Sequence, residues 1–334
     1  MSIFKNESYS FVVFTLLFIG LIIVAAFLAV YFFRQSKKFE KNLFRSFLTR
    51  AEFFNVLRNF NFYGFIFCLI CVLCGLWAVS IEPRRIVVRD FEIKNTGLPP
   101  MKIAVISDLH LRFGKSEKFV TRVVQKINEQ NPDMVMIPGD FLTSGADKYA
   151  TKLIPLQDIT APVYFVLGNH DYKINAQSPV TRPQILRKNL RQAELVELKN
   201  ESIFLSDKNI SLVGVEDNYL NFDDLDTALA KVKTEPFILL AHSPDIVDEF
   251  RSSTTESRRD RPKPSLIISG HTHCGQIRLP FIGAMPGVIP TDHGKEYDKH
   301  WYPEQNMFVS CGVGESGPAI RFMNPPEVVV LDID

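Results

Sequence analysis

Leu266-Ile267-Ile268-Ser269-Gly270-His271-Thr272-His273 decides the fold. A short apolar run reads as a buried strand, and it enters a loop that carries two histidines at i and i+2. On an extended backbone those side chains leave the same side. Taken alone, a His-x-His in a loop is weak evidence for a metal. Four upstream segments repeat the pattern: Asp108-Leu109-His110, Gly139-Asp140, Gly168-Asn169-His170-Asp171 and Ala241-His242. Each closes a short apolar run, at residues 103–106, 134–137, 163–167 and 237–240. Ligands of open α/β sheets bind beyond the carboxyl ends of the strands. Five such ends would therefore bring His, Asp and Asn side chains to one place.

Around these runs, strand-like and helix-like stretches alternate from residue 101 onward. Helices are expected at 116–129, 148–158, 183–192, 223–232 and 244–250, which argues for an α/β architecture with a buried sheet. Later strands near 210–215, 276–279, 307–310 and 328–333 come with few helices and suggest a second sheet packed on the first. Residues 251–264 hold Ser, Thr, Arg, Asp and Pro and read as a surface loop. Asp133 reads as a turn residue, and His293 and His300 as surface residues.

The front of the chain differs in kind. Residues 11–33 and 62–81 are apolar runs, each of the ~20 residues a transmembrane helix needs. The first has too long an apolar core and too little amino-terminal positive charge for a cleaved signal peptide. Between them, residues 34–61 are rich in Lys and Arg, with Phe39, Leu43, Phe47, Phe54 and Leu57 near helical spacing. A basic amphipathic helix on the membrane surface is expected there. Residues 82–100 then read as a stem. The expected division is a membrane anchor over 1–100 and a folded domain over 101–334.

The net charge of +1 hides an asymmetry. Residues 1–90 carry 11 Lys/Arg against 5 Asp/Glu, and the rest carries 27 against 32. The basic part is the membrane-facing part, so a nucleic-acid partner is not expected. The connector's positive charge places it in the cytoplasm and the folded domain on the far side. Cys68, Cys71 and Cys74 share a face of an apolar helix, and Cys274 and Cys311 read as single residues, so no disulfide framework is legible.

The chemistry accounts for the residue types at the strand ends. Two neighbouring metals need a shared ligand, and a carboxylate can bridge. Mixed imidazole and carboxylate ligands suit Mn, Fe or Zn better than Mg or Ca, and two divalent ions, Mn first, are the expected cofactors. An Asn at 169 adds an oxygen ligand without adding negative charge, which keeps the site positive. His170 is the expected acid for the leaving oxygen, with Asp171 orienting it.

The ordered motif Asp-x-His, Gly-Asp, Gly-Asn-His-Asp, His, Gly-His-x-His resembles the calcineurin-like metallophosphoesterase superfamily across nearly all of 101–334. That resemblance implies a two-sheet α/β sandwich. It implies one metal on Asp108, His110, Asp140 and His273, and a second on Asp140, Asn169, His242 and His271. The segment Phe141-Leu142-Thr143-Ser144-Gly145 lacks the further acidic residue many members carry. Gly270–Gln276 followed by Ile277-Arg278-Leu279-Pro280, and Ile320-Arg321-Phe322 ahead of Pro325-Pro326-Glu327, are similar to the membrane-anchored bacterial branch. One member type there hydrolyses UDP-2,3-diacylglucosamine to the acylated sugar 1-phosphate and UMP in lipid A synthesis. The expected partner is accordingly a lipid-linked phosphate substrate at a bacterial inner membrane. Arg182, Arg187, Lys188 and Arg191 are candidates to meet a diphosphate. UDP-sugars are cytosolic, which conflicts with the charge-derived orientation. An extracytoplasmic phosphoesterase acting on a lipid-linked or cell-wall phosphate is the competing enzyme reading. A non-catalytic, metal-stabilised membrane scaffold is the competing reading of another class.

Overall fold

The computed structural model describes residues 20, 22–35, 51–112, 114–143, 147–175, 178–181, 183–233, 235–251, 261–285 and 297–334. The front of the first apolar run, residues 36–50 of the connector, Arg182, residues 252–260 of the polar loop and His293 lie outside them. The chain divides into two compact units, one of residues 1–82 with 317–320 and one of residues 83–316 with 321–334.

In the first unit, Ala51–Leu76 is one α-helix, so the helix of the second apolar run begins inside the expected connector. Phe62–Arg84, 23 residues, is long and apolar enough to cross a membrane. Ile22–Gln35 is a shorter apolar helix, so the described residues supply one candidate span where two were expected.

The second unit holds two six-stranded sheets. We number their strands β1 (Val87–Ile93), β2 (Met101–Val105), β3 (Met134–Pro138), β4 (Val163–Val166), β5 (Val196–Glu197), β6 (Glu201–Leu205), β7 (Ile210–Gly214), β8 (Phe237–Leu240), β9 (Leu266–Ser269), β10 (Trp301–Tyr302), β11 (Met307–Val309) and β12 (Glu327–Ile333). The first sheet has the order β1-β12-β2-β3-β4-β5 and the second β10-β11-β9-β8-β7-β6. Parallel pairing runs through β2, β3, β4 and β5 and through β7, β8, β9 and β11.

Alternation along each strand builds the layers. On β2, Ile103 and Val105 face the other sheet, where they join Ile238, Leu240, Leu266 and Ile268. Ala104 and Ile106 face outward, onto the helix Glu117–Asn128. That helix buries Phe119, Val120, Val123, Val124 and Ile127 as one apolar stripe and keeps its charges outside. On the outer face of the second sheet, Val213, Leu239 and Ile267 pack with Leu225, Ala228 and Val247. Both faces of both sheets are covered, which explains why the strands read as continuous apolar runs. Each fully buried aliphatic side chain contributes ~1.5–3 kcal/mol relative to exposure.

Several expectations change. Val87–Ile93, placed in the stem, is an edge strand paired in parallel with β12. The last strand joins the first sheet, antiparallel to β2, whereas it was grouped with the second. Val328 and Val329 bury toward opposite layers, so an apolar run of this kind carries no mark of which sheet it enters. Conversely, β8 and β9 belong to the second sheet, so the five motif-bearing ends come from two sheets. The expected helix at 148–158 is a 3-10 helix, Asp147–Asp158, with Pro155 inside it.

Candidate metal centre

The carboxyl ends of β2, β3 and β4 meet those of β8 and β9, and all the expected ligands converge there. Asp108, His110 and His273 form one buried group, and Asp140, His242 and His271 a second, with ligand atoms within 4.8 Å of one another in each. His110 Nε2 lies 3.1 Å from His273 Nε2. Asp108 Oδ1 is 3.8 Å from the former and 3.6 Å from the latter. Asn169 Oδ1 and His271 Nδ1 each lie 3.0 Å from His242 Nε2. Asp140 Oδ2 stands between the groups, 3.3 Å from His110 Nε2 and 3.3 Å from His242 Nε2.

The backbone at this edge is unusual. Asp108, His110, Asp140, His271 and His273 all have φ between 44° and 67°. Left-handed backbone costs a non-glycine residue ~1–3 kcal/mol, and it persists where the surroundings over-determine it. Here the turns aim their N–H groups at the ligands. His271 N–H donates to Asp108 Oδ2 (3.1 Å) and His170 N–H to Asp140 Oδ1 (2.9 Å). Gly168 permits the approach: a Cβ there would collide with Asp140 Oδ1 and the His242 ring. His242 Nδ1 is held 2.7 Å from Pro138 O, which fixes its ring and leaves Nε2 facing the site.

Charge follows burial. Desolvation pushes the Asp108 carboxyl up to about 6. Burial also raises Asp140, but His242 and His170 hold it well below the usual carboxylate range. Burial lowers His242, yet Asp140, Asp108 and Asp217 outweigh this and raise it to about 10. Burial keeps His110 and His273 well below the ordinary imidazole range, hence neutral. Without an ion, a proton on His242 offsets the carboxylates. The excess of acceptor atoms and the 3.0–3.8 Å spacings fit cations shared among them, which sit ~2.0–2.2 Å from nitrogen and oxygen ligands.

His170 is half-buried, with its ring centroid 4.8 Å from that of His110. Asp171 is buried, and its two oxygens accept from Leu142 N–H (2.9 Å) and Gly168 N–H (3.1 Å). It thus fixes the turn that carries Asn169 and His170. Burial and Asp140 push its carboxyl up to about 8. Of the basic residues considered for a diphosphate, Arg187 is paired with Glu197 (2.6 Å) and Glu216 (2.9 Å).

Sequence reasoning missed several residues. Arg321 is fully buried and donates to the carbonyls of Cys311, Gly312 and Gly314, with Nη2 3.4 Å from His273 Nδ1. Asn324 Nδ2 donates to His273 O at 2.7 Å. Cys274 and Cys311 form a disulfide. Their strands β9 and β11 are parallel neighbours, with Ser269 opposite Val309, so the loops that follow meet. The only signal for the pair was that both cysteines follow apolar runs. His300 is half-buried rather than a free surface residue: its Nε2 lies 3.0 Å from Glu327 and 3.1 Å from Cys311 Sγ. Asp133, as expected of a turn residue, accepts from Lys102 N–H at 2.7 Å.

Residues 101–275 match the calcineurin-like phosphoesterase family model. The chain belongs to this family. An uncharacterized metallophosphoesterase of Helicobacter pylori is 32% identical over 239 residues, 69% of this chain and 59% of that protein. The chain thus spans about three fifths of the length of that relative. The uncharacterized metallophosphoesterase YkuE of Bacillus subtilis is 28% identical over 272 residues, 77% of this chain and 88% of that protein. A UDP-2,3-diacylglucosamine pyrophosphatase, LpxG, of Chlamydia muridarum is 27% identical over 317 residues, 78% of this chain and 93% of that protein.

Proposed function

We propose that the chain is a membrane-anchored two-metal hydrolase of phosphoesters and pyrophosphates. The observation that carries this is Asp140 Oδ2, equidistant from the ligand nitrogens of two buried groups. Asp108, His110, Asp140 and His273 would hold one divalent ion, and Asp140, Asn169, His242 and His271 the other, with Mn favoured by the mixed donors. Bound there, the ions supply charge for the phosphoryl oxygens and lower the pKa of water. The protein supplies the rest. Asn169 adds an oxygen without adding charge. His170, at the rim beside His110, donates its proton to the leaving oxygen. Asp171 holds the turn, so the His170 ring stays in place between turnovers. The test is hydrolysis of a phosphodiester by the full chain in membranes. Activity should vanish on chelation and return with Mn, and full activity in metal-free protein would reject the reading.

For the substrate, similarity to LpxG supports UDP-2,3-diacylglucosamine, with release of UMP. Cutting one diphosphate linkage of an acylated substrate suits an anchored site. A second reading has its own support. Buried thiols persist as a disulfide in oxidising compartments. The Cys274–Cys311 bond beside His273 and the basic connector both favour a domain outside the cytosol, acting on a lipid-linked or cell-wall phosphate. A reporter on the C-terminus that is active only outside the cytosol separates the two. An outside signal removes the sugar-nucleotide substrate. An inside signal, followed by UMP release from the diacylated UDP-sugar, supports it.

A further inference from the structure

Arg278–Leu279 and Gly283–Ala284 form a two-stranded hairpin whose tip is Pro280-Phe281-Ile282. Phe281 is fully exposed, at 109%, and Ile282 is 60% exposed. Met323, next to the Phe322 that bridges to Ile277, is 55% exposed. Hairpin tips in water are ordinarily polar or glycine-rich, and clustered exposed apolar side chains mark an interaction site.

The hairpin is tied to the metal centre. Arg278 Nη1 donates to Cys274 O (2.8 Å) and Asp298 O (2.7 Å), and its backbone N–H donates to Phe322 O (2.9 Å). The tip therefore grows from the turn that carries His273. Strand directions say which end of the sandwich this is. β12 runs antiparallel to β2 with Val329 opposite Val105, so its start lies at the end where Asp108 follows β2. β1 runs parallel to β12 with Val87 opposite Glu327, and Val87 N–H donates to Pro326 O (2.9 Å). The entry of the domain, the metal centre and the apolar tip thus share one end.

We propose that this end docks on the lipid surface, with Phe281 and Ile282 immersed at the boundary between headgroups and acyl chains. The inference rests on the reading of Phe62–Arg84 as a membrane span. Only Arg85 and Ile86 separate that helix from β1. Fully extended, two such residues reach only ~7 Å, at ~3.3–3.6 Å each. A tether this short holds the entry end at the bilayer. The exposed Arg84 and Arg85 suit anionic headgroups. Apolar side chains and arginines at one end of a domain match the composition of interfacial anchors. A phosphate carried by a lipid then lies at the depth of the metals, and a water-soluble ester gains nothing from the arrangement.

The test uses the full chain in vesicles of phosphatidylethanolamine and phosphatidylglycerol. Phe281→Trp is made in a Trp77→Phe background, which leaves Trp301 as the common reference. Immersion gives an added blue-shifted emission that brominated lipids quench. Emission like that of Trp in water, unquenched, overturns the proposal. A blue shift without lipid quenching means that protein, such as a second copy, covers the tip, and overturns it too. A second variant, Phe281→Ser with Ile282→Ser, should lower hydrolysis of a lipid-borne phosphodiester about 10-fold. Its rate on bis-p-nitrophenyl phosphate should not change. An unchanged rate on the lipid-borne substrate, or the same loss on both substrates, rejects the docking role. Lipid quenching of the Phe281→Trp emission in a protein that hydrolyses no phosphoester would keep the docking surface and reject the hydrolase reading instead.

Discussion

At the candidate metal centre, the first sheet contributes the oxygens and the second contributes only ring nitrogens. Asp108, Asp140 and Asn169 follow β2, β3 and β4, with His110 the one imidazole ligand on that side. His242, His271 and His273 follow β8 and β9. Each group of candidate ligands draws on both sheets. The difference also sets the charge. Negative charge comes from one side, and the neutral or protonated rings from the other answer it. Asp140 is the exception that joins the groups, touching one histidine from each sheet.

That asymmetry can be broken most severely at Asp140. Asp140→Ala should remove both ions and cost more than the ~10²–10⁴ in rate that a general acid supplies. His242→Ala should release only the ion near His271 and leave the Asp108, His110 and His273 group loaded. Metal analysis of the two purified variants checks this. Loss of both ions from His242→Ala, or retention of both by Asp140→Ala, would mean that the groups are not joined as described.

The proposed acid comes next. His170→Ala should keep both ions and lose ~10²–10⁴ in rate on an ester with a poor leaving group. On a p-nitrophenyl ester, whose leaving group needs no proton, the loss should be much smaller. Equal losses on the two esters would move the acid to another residue.

On the proposed ligand sets the ions would join two sheets, so loading them should stabilise the sandwich. An ion at a hundred times its dissociation constant adds ~2.7 kcal/mol per site. For a domain of this size each kcal/mol is worth ~2–4 °C in Tm. A metal titration followed by thermal unfolding should therefore raise Tm in the wild type and by less in His242→Ala. A metal-independent Tm would show that the strand ends are already fixed without ions.

Much of this contrast was legible in the sequence, and the reasons are local. The strand-terminal motifs could be read because each follows a short apolar run, buried here on both faces. The helix Glu117–Asn128 could be read because its buried positions recur with helical period. What escaped depends on pairing between distant segments. Val87–Ile93 alternates too weakly to mark a strand, and its burial comes from β12, more than two hundred residues later. Arg321 sits in irregular backbone, and only the meeting of that segment with the Cys311–Gly314 loop gives its guanidinium a set of carbonyls. Cys274 and Cys311 are 37 residues apart and became neighbours through the parallel pairing of β9 with β11. Patterns within a single strand and its following turn reported the ligands, and the supports of those ligands come from the topology.

The smallest expected effect concerns one of those supports, Asp171. Both its oxygens accept backbone N–H groups of the first sheet's loops, so it acts on Asn169 and His170 through the turn. Asp171→Asn keeps the shape but turns one acceptor into a donor that faces an N–H. Activity should fall ~10-fold, the lower range for supports of a metal ligand. The fall should appear in kcat on poor leaving groups, because the proposed acid, His170, is what the turn positions. A pH signature separates this from general damage. Burial raises the folded carboxyl to about 8, against ~3.9 unfolded. Between those values the folded state binds the extra proton, so this group's contribution to stability is present in full below ~3.9 and lost as pH rises toward 8. Metal-free wild type should accordingly lose stability from about pH 5 to about pH 8 more steeply than metal-free Asp171→Asn, which has no carboxyl to titrate. Parallel denaturation midpoints for the two proteins across that range would show that Asp171 holds its turn as an ordinary carboxylate.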